Sequence, residues 1–420
     1  MQVSRSLITR FTPSSSFTVA SRGVRRRPEP PLSGVPAGDP RKLLNDATTF
    51  SDVHSVILDP HDKLPYPAEQ MQDFLVDNER EKVKSKAEKY KTRKLTQLNF
   101  DHIPIEDQVV ALFPGQGAQH VGMGQKVIDT PAAKEIYDRA AEVLKYDILA
   151  LCRDGPKTKL DQTIYCQPAV FVGSLAAYEK LKVEQPDLED RLTDAAGFSV
   201  GEYAAMVASG AIDFETALKV VQIRAEAMHE CNQRLPSGML TVRVNAASKL
   251  DEAMAEARDA ATEANELPLC EVANYLFCGV KVVGGSDRCL TFLEANAHRF
   301  NYTPVKRLAV SGAFHTRLMN PAVEIVRETL KGVKLNPPKC NVYSNYSGKV
   351  YSRKAGDIRK GLVQQISAPV KWEQIQQLLY RKHQDFKFPN YIEIGPGRQL
   401  GAMFVNISKK AYKAYTNYPC

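Results

Sequence analysis

Between residues 106 and 410 the chain alternates two hydrophobic periods. Apolar runs at 109–113 and 192–196 have the length and continuity of buried strands. Residues 132–144, 168–182 and 199–209 carry a helical period, and Gly210 ends the third of these. Residues 213–234 predict a further helix, with Asp213 in the N-cap position. Projected at about 100° per residue, Phe214, Ala217, Val221, Ala225 and Met228 share one face of it. Glu215, Lys219, Gln222, Glu226 and His229 share the opposite face. Arg224 falls in the apolar arc, where a guanidinium is costly to bury unless an anion meets it. It either snorkels out from the edge of the stripe, pairs with an internal acid, or grips a ligand carboxylate, which its two-pronged donor suits.

From Gly238 the order changes. Strands at 239–244, 270–276, 280–283 and 305–310 are interleaved with helices at 249–265 and 287–300. That β-α-β-β-α-β order predicts a small ferredoxin-like unit (236–304) inserted into a larger one, with entry near 235 and exit near 305. Strands at 340–344 and 391–394 resume the alternation. The larger part (106–235 and 305–420) is therefore expected to be an α/β-hydrolase-like domain with a parallel sheet and helices on both faces.

Composition narrows the class. The 420 residues are 43% hydrophobic and 25% charged, which is ordinary for an enzyme of two or three domains. No apolar run approaches the roughly 20 residues of a membrane span. The net charge of +8 suits an anionic ligand or an acidic protein partner, and no DNA- or RNA-binding signature accompanies it. None of the eight cysteines forms a C-x-x-C pair, so neither a zinc site nor a disulfide framework is expected. They read as passive, mostly buried thiols in a reducing compartment. A monomer without metal or cofactor is the expectation.

Residues 1–28 hold Arg5, Arg10, Arg22, Arg25, Arg26 and Arg27 among many Ser and Thr, with no acid before Glu29. That is the composition of a mitochondrial transit peptide, and the apolar core of a secretory signal is missing. Residues 29–105 read as a charged, flexible extension, punctuated by Pro30, Pro31, Pro36 and Pro40 and dense in both signs of charge over 77–94.

Candidate chemistry clusters at the ends of the predicted strands. Gly197-Phe198-Ser199-Val200-Gly201 has the G-x-S-x-G frame of a nucleophile elbow between strand and helix. The two glycines remove the Cβ atoms that would block close packing, and the turn aims the Val200 N–H at whatever reacts with Ser199. After the first strand comes Gly115-Gln116-Gly117, but position 120 is His, so a dinucleotide fingerprint fails. This loop is either a plain turn or one that brings Gln116 to a reacting centre. His315 lies just after the 305–310 strand in a loop of small residues. It is either a structural hydrogen-bonder or a base taken from the end of another strand.

In order and spacing, one set of motifs resembles the malonyl-CoA:acyl carrier protein transacylase family over about residues 106–410. They are Gly115-Gln116-Gly117-x-Gln119, Gln167-Pro168-Ala169, Gly197-x-Ser199-x-Gly201-Glu202, Ile223-Arg224-Ala225, Ser311-Gly312-Ala313-Phe314-His315, Pro369-Val370-x-Trp372 and Gly395-Pro396-Gly397. With its leader the chain is similar to mitochondrial members. The resemblance implies that Ser199 carries malonyl as an ester and that His315 is its general base, then its acid. It implies an oxyanion hole from the Val200 N–H and the Gln116 amide region, and a carboxylate grip by Arg224. Gln365 would orient the histidine through its carbonyl, and Gln167 would line the pocket. Malonyl-CoA and acyl carrier protein are the implied substrates, and the mitochondrial matrix the implied place. The chain departs from much of the family at Phe198, where histidine is common. A general serine hydrolase and a non-catalytic binding protein are the competing classes; the first gives no reason for an arginine on an apolar face.

Overall fold

The computed structural model describes residues 97–383 and 387–420. The transit-peptide reading and the extension up to residue 96 lie outside the described residues. Residues 97–105 join the fold. The Leu98 N–H donates to Asn341 Oδ1 at 2.8 Å, and Asn341 Nδ2 returns a bond to the Leu98 carbonyl at 3.2 Å.

Five strands make a wholly parallel sheet: β1 (Val109–Phe113), β2 (Leu192–Gly197), β7 (Asn341–Val342), β9 (Asn390–Ile394) and β10 (Tyr415–Tyr418). Their spatial order is β10-β9-β1-β2-β7. Alternation along β1 sends Val109, Ala111 and Phe113 into one core and Val110 and Leu112 into another. Both faces are covered, which is why β1 reads as unbroken apolar sequence. The chain moves from β1 to one side through β2 and β7, and later fills the other side with β9 and β10. The carboxyl ends of β1 and β2 therefore lie where ligands of such sheets bind.

The second sheet has the order β6-β3-β5-β4-β8, from β3 (Ser237–Arg243), β4 (Cys270–Phe277), β5 (Val280–Ser286), β6 (Thr303–Arg307) and β8 (Val370–Lys371). Its first four strands pair antiparallel. The helices Leu250–Glu263 and Asp287–Asn296 contribute Ala253, Ala257, Cys289, Leu290 and Leu293 to a core of their own with Leu240, Val242 and Val283. The fifth strand, β8, comes from the large part and pairs parallel to β4. It precedes Trp372 directly and ties the two sheets together beside the site.

Three sequence expectations change. The Thr163–Glu184 helix begins before residue 168 and keeps Pro168 inside it. Burial nearly all round this helix outweighs the missing amide, so Gln167 sits in the helix rather than at its head. The expected strand 305–310 is β6 alone, Thr303–Arg307. Ser311 and Gly312 are needed in the turn that carries the chain back between the sheets. His315 thus follows a strand of the small sheet, in a linker, and not the end of a large-sheet strand. The expected strand 340–344 shortens to β7 because Ser344 and Asn345 turn toward the elbow.

Candidate active site

Ser199 leaves β2 in a left-handed conformation, φ 54°. The Phe198 N–H donates to the Phe113 carbonyl and the Gly201 N–H to the Phe198 carbonyl, both at 2.9 Å, which closes the elbow. Neither glycine can be replaced cheaply. A Cβ on Gly197 would lie 1.9 Å from the Gly201 oxygen, and one on Gly201 would lie 2.3 Å from the Phe113 oxygen. The strain of a non-glycine residue here, about 1–3 kcal/mol, is held from outside by Asn345. Its Oδ1 accepts the Ser199 N–H at 2.6 Å, and its Nδ2 donates to the Gly197 carbonyl at 2.7 Å.

Ser199 Oγ and His315 Nε2 are 2.9 Å apart, although 116 residues separate them in sequence. His315 Nδ1 is 2.7 Å from the Gln365 main-chain carbonyl. A carbonyl only accepts, so Nδ1 carries the proton and Nε2 presents its lone pair to the serine hydroxyl. His315 also has positive φ, 58°. Burial, together with the Arg224 charge, presses its imidazole down to about 3, against a smaller opposite pull from the Gln365 carbonyl. The resting imidazole is therefore neutral. The acid limb of kcat/KM is expected well below the ordinary histidine value of 6.5. A pH–rate profile of acyl transfer to Ser199 should be flat from about pH 8 to pH 5.5; a limb centred near 6.5 would contradict the neutral, buried base.

Arg224 is fully buried, as its place in the apolar arc allows. It comes from the Phe214–Gln233 helix, whose N-cap Asp213 accepts the Thr216 N–H at 2.9 Å. Nη2 donates to Ser199 Oγ and to Gln365 Oε1, each at 2.9 Å, and Nη1 donates to Gln167 Oε1. Its guanidinium carbon lies 5.7 Å over the Tyr203 ring. Nε has no partner among the described residues, and no described carboxylate forms an ion pair with this cation. Burial lowers its pKa. The snorkelling alternative fails, because the side chain has no exposed surface.

The main-chain N–H groups of Val200 and Gln116 make no hydrogen bond among the described residues. They stand at the carboxyl ends of the adjacent strands β2 and β1. The Gln116 side chain donates to Thr163 Oγ1 at 3.3 Å. Phe198 meets Trp372 edge-on at 5.5 Å between ring centroids, so this position packs as a hydrophobic wall. The structure thus brings Ser199, His315, Arg224, Gln167 and Gln365 into one bonded cluster, and places Val200 and Gln116 beside it.

Sequence reasoning missed Asn345 and Tyr351, and took Glu202 only as a motif letter. Asn345 had one weak signal, an Asn-Tyr-Ser-Gly turn after an apolar run. All eight cysteines are free, and seven are buried. Among the described residues no group of three or more His, Cys, Asp or Glu side chains converges as a metal site would. No described helix is long and apolar enough to cross a membrane. A cavity of about 410 Å³ at the opposite end of the strands is lined by Asp194, but that carboxylate is already bonded by Lys382, Tyr343 and Thr193.

A parallel α/β sheet with a serine elbow, a neutral histidine and an unpaired buried guanidinium has the build of an acyl-transfer enzyme. Residues 110–382 match the acyl transferase domain family. The chain is 47% identical over 308 residues to the mitochondrial malonyl-CoA-acyl carrier protein transacylase of Homo sapiens, covering 73% of this chain and 79% of that one. It is 33% identical to the malonyl CoA-acyl carrier protein transacylase of Bacillus subtilis, covering 72% and 91%. The solved malonyl CoA-acyl carrier protein transacylase of Clostridium perfringens superposes with a TM-score of 0.65 at 28% identity, covering 74% of this chain and 92% of that one. The chain belongs to the malonyl-CoA–acyl carrier protein transacylase family.

Proposed function

We propose that the protein transfers malonyl from malonyl-CoA to the phosphopantetheine thiol of acyl carrier protein through an ester on Ser199. The observation that carries this is Arg224: a buried cation with no carboxylate in contact, hydrogen-bonded to the nucleophile itself. An acyl group with a free carboxylate meets both halves of that arrangement, and an acetyl group meets one.

In the first half-reaction Ser199 Oγ attacks the thioester carbonyl and its proton passes to His315 Nε2. The oxyanion faces the free N–H groups of Val200 and Gln116. The C–S bond breaks, and CoA leaves with the proton from the imidazolium. In the second half the carrier thiol gives its proton to His315, its sulfur attacks the ester, and Ser199 leaves reprotonated. Arg224 holds the malonyl carboxylate throughout, assisted by Gln167, and Gln365 keeps the His315 tautomer. No step calls on a metal or cofactor. Exclusion of water protects the ester from hydrolysis.

The antiparallel order β6-β3-β5-β4 with its two helices supports reading residues 236–304 as a ferredoxin-like insert between the large-domain segments 106–235 and 305–420. The mitochondrial names of the Homo sapiens, Mus musculus and Drosophila melanogaster relatives support a mitochondrial location. We place the activity in the matrix, supplying fatty acid synthesis, with a monomer as the working unit.

Intact mass spectrometry with peptide mapping tests the proposal. Malonyl-CoA should leave a malonyl adduct on Ser199 alone, discharged by acyl carrier protein and little by water. An adduct lost equally fast with and without the carrier would make the protein a hydrolase.

A further inference from the structure

Glu202 lies three residues after the nucleophile, in the first turn of the Gly201–Ala208 helix, and is fully buried. A buried carboxylate needs donors, and it has three. Oε2 accepts the Asn345 main-chain N–H at 3.1 Å and Gln365 Nε2 at 3.3 Å, and Oε1 accepts the Tyr351 hydroxyl.

Two of these partners are the ones that shape the site. Asn345 grips the elbow on both sides of Phe198, through the Ser199 N–H and the Gly197 carbonyl. Gln365 meets every other part: its main-chain carbonyl holds His315 Nδ1, its Oε1 accepts from Arg224, and its Nε2 donates to the Ser199 carbonyl at 3.2 Å.

An amide can be turned end for end, and its surroundings decide which end points where. The Gln365 nitrogen faces two acceptors, Glu202 and the Ser199 carbonyl, while its oxygen faces a guanidinium that can only donate. A turned amide would set NH₂ against the guanidinium and oxygen against the carboxylate. Arg224 and the Ser199 carbonyl favour the same orientation, and Glu202 Oε2 is the second acceptor that holds the nitrogen in it; a glutamine at 202 could still accept there, but a leucine could not. Burial outweighs its three donors and the Arg224 charge and leaves the Glu202 carboxyl raised to about 8. The two N–H donors require Oε2 to stay an acceptor.

We propose that Glu202 is a positioning residue for acyl transfer: acting through the Gln365 amide, it points Oε1 at Arg224 and so sets the guanidinium beside Ser199. This rests on the proposed roles of Ser199, His315 and Arg224. The site then has an acid after all, placed behind the arginine rather than behind the histidine.

The test compares Glu202→Leu, which removes the acceptor, with Tyr351→Phe, which keeps the carboxyl and the Gln365 bond but removes one donor. Rates of Ser199 acylation by malonyl-CoA and acetyl-CoA are measured per titrated active site, alongside thermal midpoints. Glu202→Leu should lose about 10- to 100-fold in malonyl kcat and a similar factor in malonyl-over-acetyl preference. Tyr351→Phe should lower the midpoint yet stay within about threefold in both. A Glu202→Leu enzyme within twofold of wild type, or a Tyr351→Phe enzyme that loses as much, overturns the proposal. Gln365→Met keeps the carbonyl on His315 while removing the amide, and serves even if Glu202→Leu does not fold. It should reproduce the loss of preference, and wild-type preference in it would also overturn the proposal. A wild-type protein that forms no Ser199 adduct would instead remove the underlying reading, so the two failures are distinct.

Discussion

With His315 replaced by asparagine, acylation of Ser199 by malonyl-CoA is expected to slow by about 10²- to 10⁴-fold, the usual worth of a positioned general base. Asparagine is the informative choice. Position 315 has φ 58°, and asparagine tolerates that conformation better than alanine does. The substitution therefore removes the base while leaving the linker between the two sheets close to its native path. It cannot accept the serine proton as an imidazole does, even though its amide can still donate to the Gln365 carbonyl. Single-turnover release of CoA reads the step directly, free of carrier-protein binding. The KM for malonyl-CoA should change little, because Arg224 and Gln167 are untouched. A loss below about tenfold would mean that the 2.9 Å contact between Nε2 and Oγ is structural and that proton removal runs another way.

Replacing Arg224 by alanine is expected to collapse discrimination between acyl donors. Truncating one partner of a buried, hydrogen-bonded charge pair costs about 2–5 kcal/mol. That corresponds to a fall of about 30- to 4000-fold in kcat/KM for malonyl-CoA. Acetyl-CoA has no carboxylate to lose and should stay within about threefold, or gain. A gain has a physical source in the resting site. Nη2 donates to Ser199 Oγ at 2.9 Å, drawing on the lone pair that must attack, and its charge helps depress the His315 imidazole. A malonyl carboxylate removes both effects by neutralising the guanidinium, and so does alanine. Stability should fall as well, because the buried Gln167 Oε1 and Gln365 Oε1 lose their donor. The measurement is the ratio of kcat/KM values for the two donors in wild type and variant. An unchanged ratio would end the carboxylate-grip role.

What could be read along the chain were the features written in neighbouring residues. The β1 and β2 runs, the elbow, the Asp213 cap and the apolar face holding Arg224 depend on spacings of one to four residues. The β-α-β-β-α-β order of residues 237–307 was legible for the same reason. The strand of the small sheet that arrives from residue 370 was not, because β8 is two residues long and exists only by pairing with β4. Pro168 misled because a rule about isolated helices was applied to one buried on nearly every side.

The site divides in the same way. The types of group present, a serine in a tight elbow, a histidine after a strand and an arginine on an apolar helix face, were set by the sequence by itself, since local spacing and residue chemistry suffice to find them; Gln365 was reached only through the family resemblance. Which hydrogen bonds those groups share was decided only by the tertiary structure. Asn345 meets Ser199 across 146 positions, and Gln365 meets Glu202 across 163. A hydrogen bond is sensitive to tenths of an ångström and to which end of an amide is turned forward. Neither is encoded in spacing; both follow from how the two sheets and their connecting linker close on one another.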